Sequence, residues 1–154
     1  MVPGNGAKKY LVLADIHSNE PALRAVLDDA SHHGPYHGKL CADDVVGYGP
    51  NPNECIEIVA GEGFVTVLGN HDSAVRGGPK DNLERHAFIS TLLQGRMLNE
   101  ASRKFLASLD SRPYADPEGR FAMVHGSFEG SLEKELRPVS KTHTSLGKKM
   151  SSGQ

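Results

Sequence analysis

Four short apolar runs, each carrying or closely followed by Asp, Asn or His, constrain this chain more than any other feature. Tyr10-Leu11-Val12-Leu13-Ala14 opens into Asp15-Ile16-His17, and a run over about Leu40–Val46 carries Asp43-Asp44 ahead of Gly47. Phe64-Val65-Thr66-Val67-Leu68 gives way to Gly69-Asn70-His71-Asp72, and Phe121-Ala122-Met123-Val124 to His125-Gly126-Ser127. Uninterrupted apolar runs of this length read as strands buried on both faces. Between them the period becomes helical. Ala22, Leu23, Val26, Leu27 and Ala30 recur at helical spacing after Asn19 as N-cap and Pro21 in the first turn, and His32-His33-Gly34-Pro35 stops the helix. Further helices are expected over about Asn53–Ala60, Leu83–Leu93 and Glu100–Leu109, with a turn over Gly47–Pro52 and a loop over Arg76–Asp81. Alternation of this kind predicts an α/β fold built on a mostly parallel sheet.

At 154 residues the chain has room for one domain with a real core. Its 17 basic and 19 acidic residues nearly cancel, so no overall charge draws it to nucleic acid or to a membrane surface. Lys141, Lys148 and Lys149 with Arg137 make only a weak basic cluster, read as solvated tail. No run is long and apolar enough to span a bilayer, and the N-terminus lacks the apolar stretch of a signal peptide. Cys41 and Cys55 form no disulfide or zinc pattern, so the expected compartment is the reducing cytoplasm. The character changes near Gly130. Residues 1–130 read as the folded domain. Residues 131–154, apart from a helical turn or two near Leu132–Leu136, are too poor in apolar side chains to offset their ordering entropy and read as a tail.

In open α/β sheets the ligand edge lies beyond the carboxyl ends of the strands. Four strands delivering Asp, Asn and His to that one edge point to metal binding. Carboxylate, amide and imidazole donors together suit Mn²⁺, Fe, Zn²⁺ or Ni²⁺, whereas calcium would not need the His. Asp15 and His17, one residue apart, can face one ion. Asp44 has a carboxylate able to bridge two ions roughly 3.5–4 Å apart, the spacing used in phosphoryl displacement. Asn70 offers the second ion a neutral ligand, and His71 beside it is free to donate a proton.

These residues, Asp15-x-His17, Asp44-x-Val46-Gly47, Gly69-Asn70-His71-Asp72 and His125-Gly126, resemble the motifs of the calcineurin-like metallophosphoesterases. Gly47-Tyr48-Gly49-Pro50-Asn51-Pro52 and His125-Gly126-Ser127 are similar to the small prokaryotic phosphodiesterase, or diadenosine-tetraphosphatase-like, branch. The resemblance covers about residues 10–128. It implies an αββα sandwich, here with the second sheet incomplete. It implies two divalent cations, Mn²⁺ first among the candidates. Asp15 and His17 would hold the first, Asn70 and His125 the second, with Asp44 bridging. His71, paired with Asp72, would contact the phosphate and protonate the leaving oxygen while a metal-bridging hydroxide attacks phosphorus in line. The implied substrate is a phosphate-ester small molecule or a nucleotide, as diester or monoester.

The sequence departs from that family at three places. Asp43 stands where the family has Gly, and strand alternation predicts that its side chain points away from the metals. Phe128 replaces a Pro after the His-Gly-Ser motif. The family's closing Gly-His-x-His is missing, with Thr142-His143-Thr144 as the nearest candidate. A sheet face left bare by that loss is expected to be covered by residues 130–154 or by a second copy of the chain. The competing reading is a phosphoesterase fold acting as a binding scaffold, or a shortened gene product.

Overall fold

A computed structural model of the protein describes residues 8–81 and 83–126. Strands β1 (Tyr10–Leu13), β2 (Gly38–Cys41) and β3 (Val65–Thr66) form a parallel sheet in the order β1-β2-β3, with Val12 beside Leu40 and Leu40 beside Val65. The crossovers are α1 (Glu20–Ser31) and α2 (Pro52–Gly61), as the alternation of periods predicts. Asn19 caps α1 as expected, its side-chain oxygen accepting the Ala22 N–H at 3.2 Å. Beyond β3 come α3 (Asn70–Val75), α4 (Arg85–Met97) and α5 (Glu100–Ser108), then β4 (Tyr114–Ala115) and β5 (Ala122–Met123).

The pleat sends alternate residues of β2 to opposite faces, and each face has its own core. On the helical side Cys41 packs with Ile16, Leu23, Val45, Val46, Cys55, Ile56, Val59 and Leu106, and Leu106 is wholly buried. On the other side Leu40 packs with Val67 and Met123, flanked by Tyr10, Tyr114 and Phe121. That second core is thin. Val12 is 56% exposed and Val65 40% on the same face. The cover expected from residues 130–154, and the helical turn and tail predicted there, lie outside the described residues.

The fourth apolar run does not join the parallel sheet. β5 pairs antiparallel with β4, Tyr114 opposite Met123 and Ala115 opposite Ala122. Only a short hairpin, braced by Asp116 accepting the Glu118 and Arg120 N–H groups, separates them. So short a link permits antiparallel pairing alone, since a parallel neighbour needs a crossover of a dozen residues or more. β2 also ends earlier than the apolar run suggests, at Cys41. Val45 and Val46 remain fully buried, as loop.

Candidate metal centre

Two loops make the floor of the site, and they are zipped together. The His17 and Ser18 N–H groups donate to the Asp44 and Val45 carbonyls, both at 2.9 Å. In return the Gly49 and Asn51 N–H groups donate to the His17 and Ser18 carbonyls at 3.0 and 3.1 Å. This pairing bends the backbone hard. Asp15, His17, Ser18, Asp44 and Tyr48 all have positive φ, from 29° to 54°. Each such residue costs on the order of 1–3 kcal/mol and persists only where its surroundings enforce it, typically at functional sites. Every described non-glycine residue with positive φ belongs to these two loops.

The third loop supplies a short helix that opens on Asn70, a predicted ligand, and His71, the predicted proton donor. Asp44 lies against its start, Oδ1 accepting the His71 N–H at 2.9 Å. Gly69 is required there, because a Cβ would sit 1.9 Å from that same oxygen. Asp72 is fully buried and accepts the Val46 N–H at 3.0 Å and the Gly69 N–H at 3.2 Å. It therefore ties the third loop to the second through backbone amides, and this replaces the expected pairing with the His71 ring.

Around Asp44 the remaining donors converge. One donor atom each from His17, Asp44 and His71 lies within 4.8 Å of the others. Asp15 Oδ1 is 3.5 Å from His17 Nε2. His125 Nε2 is 2.9 Å from Asn70 Oδ1 and 4.0 Å from Asp44 Oδ2. All the predicted ligands, Asp15, His17, Asp44, Asn70 and His125, thus meet in one place, although His125 arrives from the separate hairpin. Thr142-His143-Thr144 lies outside the described residues.

The electrostatics fit a cation. Asp44 is 3% exposed, and burial together with the neighbouring Asp72 pushes its carboxyl up to about 8. Burial raises Asp72 to about 6 against the pull of its backbone amides. Burial, with the charges of His17 and His125, lowers His71 to about 4, so its ring is neutral. Its Nδ1 is buried and has no hydrogen-bond partner. A cluster of carboxylate, amide and imidazole donors that penalises its own anions suits divalent ions better than protein groups alone. A backbone carbonyl also fixes the orientation of the His17 ring. Val46 oxygen, which can only accept, lies 3.2 Å from His17 Nδ1, so that nitrogen carries the proton and Nε2 is the free donor. Cys41 and Cys55 take no part: both are free and buried, and burial pushes each thiol up to about 12.

Three groups escaped the reading of the sequence. Gln94, 2% exposed on α4, accepts the Gly47 N–H at 2.7 Å and the Ser18 hydroxyl at 3.2 Å, and donates to the Gly49 carbonyl at 2.6 Å. Ser90 Oγ accepts the Tyr48 N–H at 3.1 Å. Together they pin the turn that holds the Tyr48 ring 4.8 Å from both His17 and His71. Asp43 does not point away. Its Oδ1 accepts the Asp15 N–H at 2.9 Å and its Oδ2 meets His125 Nδ1 at 2.5 Å. Strand alternation misleads there because β2 has already ended at Cys41.

Over residues 8–147 the sequence matches the calcineurin-like phosphoesterase family. It is 40% identical over 99 residues to an uncharacterized protein of Methanocaldococcus jannaschii, MJ0912, a match covering 64% of this chain and 40% of that one. A crystal structure of a metallophosphoesterase from Sphaerobacter thermophilus superposes with a TM-score of 0.63 at 34% identity, covering 79% of this chain and 48% of that one. The hypothetical protein PH1004 of Pyrococcus horikoshii shares the fold, with a TM-score of 0.67 at 21% identity over 80% of this chain and 57% of that one. The chain thus spans about half the length of these relatives.

Proposed function

The chain belongs to the calcineurin-like phosphoesterases, a family of metal-dependent hydrolases, and on that premise we propose that it hydrolyses phosphodiester or phosphomonoester bonds at a dinuclear centre. The observation that carries this reading is the convergence of Asp15, His17, Asn70 and His125 around the buried Asp44 carboxylate, with His71 beside them. Asp15 and His17 would hold one ion and Asn70 and His125 the other, with the Asp44 carboxylate available to both. When bound, divalent cations supply the Lewis acidity that activates water and offsets charge on the phosphoryl oxygens.

The chain's own residues do the rest. His71 is neutral and faces the cluster, positioned to hydrogen-bond a phosphoryl oxygen and to pass a proton to the leaving oxygen. Tyr48, half exposed beside His17 and His71, borders the space a phosphate ester enters. Asp72 keeps His71 in place by binding the third loop to the second. Mn²⁺ is the expected ion, with Fe, Zn²⁺ and Ni²⁺ compatible with the same donors.

The test is hydrolysis of bis-p-nitrophenyl phosphate and p-nitrophenyl phosphate with and without Mn²⁺. Turnover that requires the metal, and falls at least about a hundredfold in His71→Ala with metal uptake retained, is expected of a proton donor. The ester cleaved faster assigns the diester or monoester class. Absence of turnover with Mn²⁺, Fe²⁺, Zn²⁺ and Ni²⁺ alike overturns the proposal in favour of a scaffold.

A further inference from the structure

Asp43 is a residue with no place in the ligand set, yet both of its carboxylate oxygens are directed at ligands. It is buried, with 9% of its surface exposed, in the loop immediately after β2. Oδ2 meets His125 Nδ1 at 2.5 Å, while the opposite nitrogen of that ring, Nε2, faces Asn70 and Asp44. A carboxylate is an acceptor only, so the proton between them sits on Nδ1, which leaves Nε2, on the cluster side of the ring, as the nitrogen that would offer a lone pair to a metal. Oδ1 accepts the N–H of Asp15, the residue whose backbone is held at φ 53° beside His17. One side chain therefore braces a ligand from each half of the site.

We propose that Asp43 is a positioning residue of the metal centre, fixing the tautomer and angle of His125 and the strained backbone of Asp15 so that both bind metal in register. This rests on the metal-centre reading above and deepens it. Carboxylates behind ligating histidines raise the basicity of the ring and restrict its rotation, and losing one typically lowers metal affinity 10–100-fold. Asp43 stands where the resemblance to the family calls for Gly, which can accept neither bond from a side chain. The brace is thus a property of this chain's own sequence, and it offers one explanation of how ligands held on strained loops stay ordered. It also assigns the adjacent acids separate work: Asp44 coordinates, Asp43 orients.

The experiment compares Zn²⁺ affinity, by competition with a chromophoric chelator, for the full chain and for Asp43→Ala, Asp43→Asn and Asp43→Gly. Metal-free ¹⁵N-labelled protein is examined in parallel for a protected downfield His125 Nδ1–H proton, assigned by its absence in His125→Ala. Asp43→Ala and Asp43→Gly are expected to bind Zn²⁺ about 10–100-fold more weakly and to lose that proton signal. Asp43→Asn, with a single acceptor oxygen for two donors, is expected to fall between them and the parent protein. A merely structural role would lower thermal stability without this ordering of affinities and without loss of the Nδ1–H signal. Zn²⁺ binding in Asp43→Ala and Asp43→Gly within threefold of the parent, or tighter, overturns the assignment of Asp43 alone. Failure of the parent chain itself to take up Zn²⁺ overturns the metal-centre reading and Asp43's role with it.

Discussion

Gln94→Leu isolates the contribution of one side chain to the shape of the site. Gln94 is 2% exposed and serves three groups of the floor loops: the Gly47 N–H, the Gly49 carbonyl and the Ser18 hydroxyl. Leucine fills nearly the same volume, so the loss is chiefly of hydrogen bonds. Gly47 and Ser18 are buried, and a buried polar group left without a partner costs about 1–3 kcal/mol. Gly49 is half-buried, so water can replace part of its bond. Together these predict a destabilisation of about 2–4 kcal/mol. At roughly 4 °C per kcal/mol for a domain of this size, the Tm falls by about 8–16 °C. The assay is thermal and urea unfolding by far-UV circular dichroism on metal-free protein. Gln94→Glu is expected to be less destabilised below the carboxyl's titration range, where the protonated acid keeps an acceptor for Gly47 and Ser18 and an O–H for the Gly49 carbonyl, than above it, where a buried charge would face that carbonyl. A Gln94→Leu protein within 1 kcal/mol of the parent would refute the reasoning, showing that the turn holds its shape without α4.

Gly69→Ala should cost more than the usual loop substitution and should block metal uptake, because the new Cβ would sit 1.9 Å from Asp44 Oδ1 and must displace it; calorimetric Mn²⁺ titration reads this directly. Leu106→Ala, at a wholly buried position between α5 and α2, is expected to destabilise by about 2–5 kcal/mol in urea unfolding with metal stoichiometry unchanged. The pH dependence has a defined sign. Asp44 titrates at about 8 in the metal-free fold, above the ordinary carboxyl value, so the folded state holds a proton that the unfolded state has released. Its contribution is complete below about pH 4 and is lost as pH rises towards 8. Asp72 acts in the same direction up to about pH 6, and the raised His125 adds to it above 6.5, whereas the lowered His71 acts oppositely below its ordinary value near 6.5. Between about pH 6.5 and 8, therefore, metal-free protein should lose stability with rising pH, and Asp44→Asn should flatten that slope in urea titrations; an unchanged slope would assign it elsewhere.

What the sequence made legible was what local chemistry dictates. The apolar run at Tyr10–Leu13 and the capped helix after Asn19 form as expected, because burial and capping act on the residues that display them. That Asp15, His17, Asp44 and Asn70 share one edge was legible for the same reason: polar groups beyond the ends of parallel strands have one edge to occupy. Other features were set by tertiary context. α4 turns Thr91 and Gln94 inward and leaves Phe88, Ile89, Leu92, Leu93 and Met97 exposed. Its apolar residues therefore mark the side away from the site, and periodicity conceals Gln94. α3 begins within the Gly69–Asp72 motif and carries no apolar period of its own; Asp72 and the backbone of the second loop hold it. The direction of Asp43 depended on where β2 ends, and a run of buried residues continuing through Val45 and Val46 masked that end. β4 consists of two residues, too short for any pattern to register.

The most direct test of the account is the number of Mn²⁺ ions bound per chain, measured by elemental analysis after metal loading and desalting, beside an Asp44→Ala control. Two ions per chain, falling to one or none without the Asp44 carboxylate, is the predicted result. Less than one ion in the parent, or full occupancy in Asp44→Ala, would contradict a centre organised on that residue.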